Sequence, residues 1–235
     1  MSGAALRALW LAAVASGTRV PVPDLGGADW EAAAGGAVTA RVVEAGGLRR
    51  VVGLGVLPVR RDRAWLSITD DHLSEGVGGL TEVVLDGAWA GEKALYQRLD
   101  LPWPFADRHW VIRLRNRAVG GLWERAWDTE NGRLPSARAH TDGAAFDAAE
   151  PVGDNRGSWL LVAAGDATLA VYQARADLGG NVPAAAVDAY TRSSVSGLYA
   201  SIAANAAKVA ARYGPGCTPQ PGADGAPIPC FSAPP

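Results

Sequence analysis

The sequence predicts an α+β domain: a curved antiparallel sheet wrapped around one long C-terminal helix, with an internal apolar cavity between them. Three observations carry this expectation. Strand-like runs rich in Val, Leu and Trp follow one another between residues 38 and 175, separated by short Gly-bearing turns, which favours antiparallel pairing. The longest periodic element comes last: Val187, Tyr190, Thr191, Ser194, Leu198, Ile202, Asn205 and Val209 recur at helical intervals between Pro183 and Tyr213. A sheet built from short turns has a face to bury, and this helix is the element long enough to cover it.

Taken from the N terminus, MSGAALRALWLAAVASG carries one basic residue, Arg7, then a short apolar run from Ala8 to Val14. Ala13-Val14-Ala15 has the small-x-small form of a cleavage site, so residues 1–15 read either as a signal peptide or as a short amphipathic helix. The run is too short to span a bilayer. After a lead-in, DLGGADWEAAAGG, strands are expected over Val38–Glu44 and Leu48–Val59, with turn signals at Gly46-Gly47 and Pro58. Arg60 to Leu73 reads as a helix with Ala64, Trp65, Ile68 and Leu73 on one face and the acidic pair Asp70-Asp71 near its end. Strands follow over Leu80–Leu85, Glu92–Leu99, Arg108–Asn116 and Gly121–Asp128. The polar segment from Thr129 to Asp154 is expected to hold a further strand around Ala144–Ala148. Ser158–Ala164 and Thr168–Arg175 form a hairpin pattern across Gly165-Asp166. The last helix has Asn181 near its cap, Pro183 in its first turn, and a stop at Gly214-Pro215.

Residues 214–235 form a Pro/Gly-rich tail in which Cys217 and Cys230 bracket TPQPGADGAPIP. A disulfide between them would hold a segment that cannot pack by itself, and would place the protein outside the reducing cytosol. Two free thiols are the alternative. The chain is therefore expected to be exported or periplasmic, or otherwise cytoplasmic. No His accompanies the cysteines at a metal-ligand spacing, so no metal is expected.

Composition narrows the function. The 235 residues are 49% hydrophobic and 20% charged, with a formal net charge of −2. Near-neutral charge without a basic cluster excludes the electrostatic footprint of a nucleic-acid binder. Nine tryptophans against three phenylalanines suit both cores and the walls of ligand cavities.

Candidate site residues follow from alternation. In LPWPFADRHWVIRLRNR, residues 101–117, Trp110, Ile112 and Leu114 share one side of an extended chain, and Arg108 has the same parity. An arginine among apolar neighbours either meets the polar end of a ligand or ties the preceding turn to the sheet. On the next strand Leu122, Glu124 and Ala126 share one face, while Trp123, Arg125 and Trp127 share the other; parity does not say which face is internal. Tyr96 and Tyr172 bring hydroxyls that would orient a ligand. The helix face of Tyr190, Ser194, Leu198, Ile202 and Asn205 would form the lid, with Ser194 and Asn205 as its polar positions.

The sequence is also similar to the START-domain family, within the wider group of helix-grip, Bet v 1-like proteins. The resemblance rests on Pro-Trp-Pro-Phe-Ala-Asp-Arg-His-Trp (residues 102–110), where Asp107-Arg108-His109-Trp110 stands for the family's Arg-Asp and strand. It rests also on Asp177, Gly179, Gly180, Val182 and Pro183 before the last helix, where Leu178 replaces a proline, and on Trp65–Gly87. It covers Asp29 to Tyr213, with the helix-grip fold as its implied architecture. It implies a deep, mostly apolar cavity for a lipid, sterol or related molecule, and it implies no catalysis. Sterol-binding members commonly place a second arginine six residues after the first; here that position is Leu114, which argues against cholesterol. The expected function is non-catalytic binding and transport of a hydrophobic small molecule by a monomer, with transient membrane contact and without cofactor or nucleic acid. A polyketide cyclase, which needs only a shaped pocket and one acid or base such as Glu124 or Tyr172, is the alternative; the absence of nucleophile, zinc-protease and phosphate-loop motifs from the sequence counts against an enzyme without excluding this one. A protein-interaction module, with Trp123 and Trp127 facing solvent, is the second alternative.

Overall fold

The computed structural model describes residues 1–45, 48–74, 80–88, 90–101, 103–178 and 183–232. The expected turn at Gly46-Gly47, Pro102, the segment from Gly179 to Val182 with its cap residue Asn181, and the side chains of Val187 and Thr191 lie outside the described residues. Helices α1 (Gly3–Val14) and α2 (Gly27–Ala34) precede strands β1 (Thr39–Ala45) and β2 (Leu48–Leu57). Helices α3 (Arg61–Thr69) and α4 (Asp71–Ser74) lead into β3 (Leu80–Gly87), β4 (Lys93–Leu99), β5 (Arg108–Val119) and β6 (Leu122–Thr129). Short helices α5 (Leu134–Ala137) and α6 (Gly143–Ala148) are followed by β7 (Glu150–Pro151), β8 (Asp154–Ala164) and β9 (Ala167–Asp177). The long α7 (Ala184–Arg212) and a small hairpin, β10 (Gln220–Pro221) and β11 (Pro227–Ile228), complete the chain.

The main sheet has the order β1-β2-β9-β8-β6-β5-β4-β3, antiparallel along this path, with β7 added in parallel to β5. Alternation divides its side chains between two faces. On the concave face Trp110, Ile112, Leu114, Trp123, Trp127, Trp159 and Leu161 join Val195, Tyr199, Ile202 and Val209 of α7 in one core. Helix α7 comes close because β2 offers Gly53 and Gly55 beneath it: a Cβ on Gly53 would lie 2.6 Å from Val195 Cγ1. The Tyr199 hydroxyl lies 2.9 Å from Ala170 O and 3.1 Å from Gly53 O, which fixes the helix over β2 and β9.

The convex face is also covered. Leu6, Trp10 and Ala13 recur at helical spacing on α1 and pack with Trp30 and Ala33 of α2 against Leu122, Leu160, Val162, Leu169 and Val171. Each large side chain so buried contributes on the order of 2 kcal/mol. Gly3–Val14 is helical, and its apolar side belongs to the second core. Farther along the same face, Leu134, Ala137 and Phe146 pack over Ala94, Tyr96 and Val111.

Two expectations are corrected, and one segment left without an assignment is a helix. Ala144–Ala148 is helix α6 and not a strand, because the Asp142 carboxylate accepts the Ala144 and Ala145 N–H groups at 2.9 and 3.3 Å and starts a helical turn. The expected helix from Arg60 to Leu73 breaks at Asp70, whose carboxylate accepts the His72 N–H at 3.0 Å and opens the separate turn α4. The lead-in DLGGADWEAAAGG holds α2, which Asp29 starts by accepting the Gly26 N–H at 2.9 Å.

The C-terminal residues fold back on the domain. Cys217 and Cys230 are joined by a disulfide. Ala223 and Ile228 enter the concave core, the Trp65 indole donates to Pro221 O at 3.2 Å, and the Phe231 N–H donates to Tyr213 O at 2.7 Å.

Candidate ligand-binding site

The wall of the site is the concave face of β5, β6 and β8. Trp127 pairs across the sheet with Leu114 on one side and Gly157 on the other, and Arg125 lies between Asn116 and Trp159. Trp159 contacts Tyr172 at 4.8 Å and Tyr199 at 5.3 Å between ring centroids. Trp123 meets Trp65 of α3 edge-on at 5.5 Å, and Arg61 stacks over its other side at 4.2 Å. These rings place Trp123, Arg125 and Trp127 on the helix side of the sheet, which parity left open.

A polar cluster sits in this apolar surround. Lys93 is 0% exposed, starts β4 on the same face as Leu95 and Leu99, and pairs with Asp71 while donating to Thr69 O at 3.3 Å. The Trp110 indole donates to Gln97 Oε1 at 2.7 Å, and the Gln97 amide in turn donates to Glu82. Arg125, 2% exposed, donates through Nη1 to Gly91 O at 3.1 Å and to Asn116 Oδ1 at 3.0 Å. Burial dominates their titration. It raises the Glu82 carboxyl above its usual range, lowers Lys93 to about 8 with Arg125 adding to the effect, and lowers Arg125 to about 10.

The residues expected at the site are divided by the structure. Trp110, Ile112, Leu114 and Tyr172 are on the concave face; burial pushes the Tyr172 hydroxyl up to about 12. Leu198 and Ile202 pack on the same core from α7. The Ser194 hydroxyl donates to Tyr190 O at 2.9 Å, within its own helix. Asn205 donates to Leu73 O and accepts from Lys208 at 3.1 Å, which pins α4 to α7. Tyr96 is a correction: it pairs with Val111 in the β4–β5 register, so the pleat turns it to the convex face, where it stacks on Phe146 at 5.8 Å. Arg108 is concave and 2% exposed, and its donors are committed to Leu178 O at 2.7 Å, Ala106 O at 2.7 Å and Glu150 at 3.0 Å. It ties the turn before β5 to the chain leading into α7.

Lys93, Glu82, Gln97 and Tyr199 escaped the sequence reading. The signal for Lys93 was its parity with Leu95 and Leu99, the same mark that singled out Arg108. Among the described residues no group of three His, Cys, Asp or Glu side chains is gathered to hold a metal ion, and no helix is long and apolar enough to cross a membrane.

No protein-family model matches the chain, and no curated protein matches it by sequence. Solved structures do match by shape. The STAR-related lipid transfer protein of Xanthomonas axonopodis superposes with a TM-score of 0.60 over 72% of this chain and 93% of its own, at 18% identity. Human StAR-related lipid transfer protein 5 does so with 0.59 over 88% and 95%, at 12% identity. The fold is START-like. Human STARD10 agrees, with a TM-score of 0.57 over 80% of this chain and 82% of its own, at 11% identity. In this START-like helix-grip fold, the face on which the indoles and the polar cluster meet is the one gripped against the terminal helix.

Proposed function

We propose that the protein binds a hydrophobic small molecule between the concave face of the sheet and α7, and carries it without chemical change. The observation that carries this reading is the concave face itself: Trp110, Trp123, Trp127 and Trp159 form an apolar wall with a small group of polar side chains set into it, the composition of a site for an amphiphile. Lipid transfer in the names of the structurally similar proteins supports the same reading. The residues named for a cyclase do not favour that alternative. Glu124 is on the convex face in an ion pair with Arg117, and Tyr172 holds its proton far above neutral pH. Trp123 and Trp127 are buried, which removes the exposed indole pair of an interaction module.

Loading would take place at a membrane surface. Trp103, in the loop between β4 and β5, is 92% exposed, and an indole so placed favours the headgroup layer of a bilayer. Replacing it by alanine is expected to weaken sedimentation with phosphatidylcholine vesicles; unchanged sedimentation would remove that contact. The Cys217–Cys230 bond supports an oxidising compartment and so export.

The test is native mass spectrometry of protein purified from its own source, followed by organic extraction. A stoichiometric lipid or related amphiphile is expected. Protein that stays empty after exposure to a broad lipid extract would overturn the carrier reading.

A further inference from the structure

Two arginines of this protein have buried side chains, Arg108 and Arg125. Arg108 answers its charge with Glu150 and with backbone carbonyls at the end of the sheet. Arg125 does not. Both of its hydrogen bonds leave from Nη1, to Gly91 O and Asn116 Oδ1, and no carboxylate among the described residues forms an ion pair with it. The neighbouring acids are engaged elsewhere: Asp71 with Lys93, Glu82 with the Gln97 amide, and Glu92 with the Asn116 N–H at 3.1 Å. The edge formed by Nε–H and Nη2–H is therefore without an acceptor among the described residues. It is the edge of a guanidinium that matches two oxygens of one anion. Around it on the same face stand Trp123 and Trp127, two residues away on β6, and Trp159, opposite on β8.

We propose that Arg125 receives the anionic group of an amphiphilic ligand, a carboxylate or a phosphate, through its Nε–Nη2 edge, while the apolar part of the ligand lies along Trp123, Trp127 and Trp159. The proposal rests on the carrier reading above and names the chemical class of the cargo. A buried cation with three of its five N–H donors without an acceptor among the described residues is costly, and an anion bound there recovers that cost as affinity. Lys93, on β4 two strands away from Arg125, is paired with Asp71 and does not compete for the same edge.

The test uses the full chain and four probes with one tail: dodecanoate, dodecyl phosphate, dodecanol and dodecyltrimethylammonium, titrated below micelle formation against tryptophan fluorescence. At least one of the two anions is expected to bind about tenfold or more tighter than dodecanol, the size of a charge-assisted hydrogen bond. The order of dodecanoate and dodecyl phosphate then tells which anion the site takes. Arg125→Met is expected to erase the preference of the anions over dodecanol, read as the ratio of their affinities in the same variant. Arg125→Lys, which keeps the charge and loses the fork, is expected to retain only part of it. Equal binding of dodecanol and both anions to the natural protein would overturn the proposal and leave the carrier reading standing; so would a preference that survives in Arg125→Met. Binding of none of the four would sink both. Should Arg125→Met fail to fold by near-ultraviolet circular dichroism, the comparison of anions with dodecanol on the natural protein still decides.

Discussion

Glu124 and Arg125 are adjacent in sequence and point to opposite faces of the sheet. The difference between their surroundings separates what holds this protein together from what, on the proposal above, it offers to a ligand. Glu124, 0% exposed, accepts the Arg19 N–H at 2.8 Å on the convex side and pairs with Arg117 at 2.6 Å. That charge is closed by the chain. Arg125, 2% exposed, has hydrogen-bond acceptors among the described residues at Nη1 alone. The convex face spends its polar groups on fixing α1 and the residues after it, whereas the concave face keeps one guanidinium edge open.

The contrast can be broken by substitution. Arg117→Met would leave the Glu124 carboxylate buried with the Arg19 N–H as its one remaining donor among the described residues, and is expected to cost about 3 kcal/mol or more in urea denaturation. Reduction of Cys217–Cys230 is expected to lower stability by about 3 kcal/mol, the scale for a loop of this kind. Hydrogen exchange would localise the loss to α3 and the β10–β11 hairpin, with protection of α1 on the convex side retained. Arg125→Met should cost no more than about 1 kcal/mol, since an apolar side chain of similar volume in place of an incompletely paired buried charge is near neutral. A loss as large as that of Arg117→Met would erase the distinction.

The smaller effects sharpen it. Lys93 lies below its unfolded value of 10.5, at about 8, because burial disfavours the ammonium. The unfolded chain therefore binds the proton more strongly over that interval, so Lys93 adds to stability as pH rises from about 8 to 10.5 and holds it back at neutral pH. Lys93→Met should remove that rise from the stability difference between the two proteins; identical pH profiles would mean that Lys93 is ordinarily solvated. Asp147→Asn, in the exposed pair with Arg138, should leave the melting temperature unchanged.

The faces also differ in how far they could be read. The side of β5 that carries Trp110, Ile112 and Leu114 was legible because Arg113 and Arg115 mark the other side as polar. Strand β6 was not: α1 covers its convex side, so Leu122 and Ala126 are as buried as Trp123 and Trp127, and alternation names two sets without ranking them. The same double burial hid Tyr96, since β4 has apolar neighbours on both faces. The partner of Lys93, Asp71, lies 22 residues before it, across a helix break set by Asp70, and local pattern has no access to such a pairing. The final helix was visible from its period, while Tyr199, its contact with two backbone carbonyls, depended on glycines far away in β2.

On the carrier reading proposed above, the C-terminal hairpin gives the site a direction. It lies against Trp65 and next to Trp123, at the end of the sheet where β5 turns into β6, whereas Leu178 and the Trp103 loop stand at the opposite end, where β5 begins. Arg125 is nearer the hairpin. An amphiphile held there by its charge would point its last carbons back towards Trp103. Lipids in a leaflet present their headgroups outward, so such a molecule could leave the bilayer charge first and travel inward without turning over. Release to an acceptor membrane would then return the chain end before the charge.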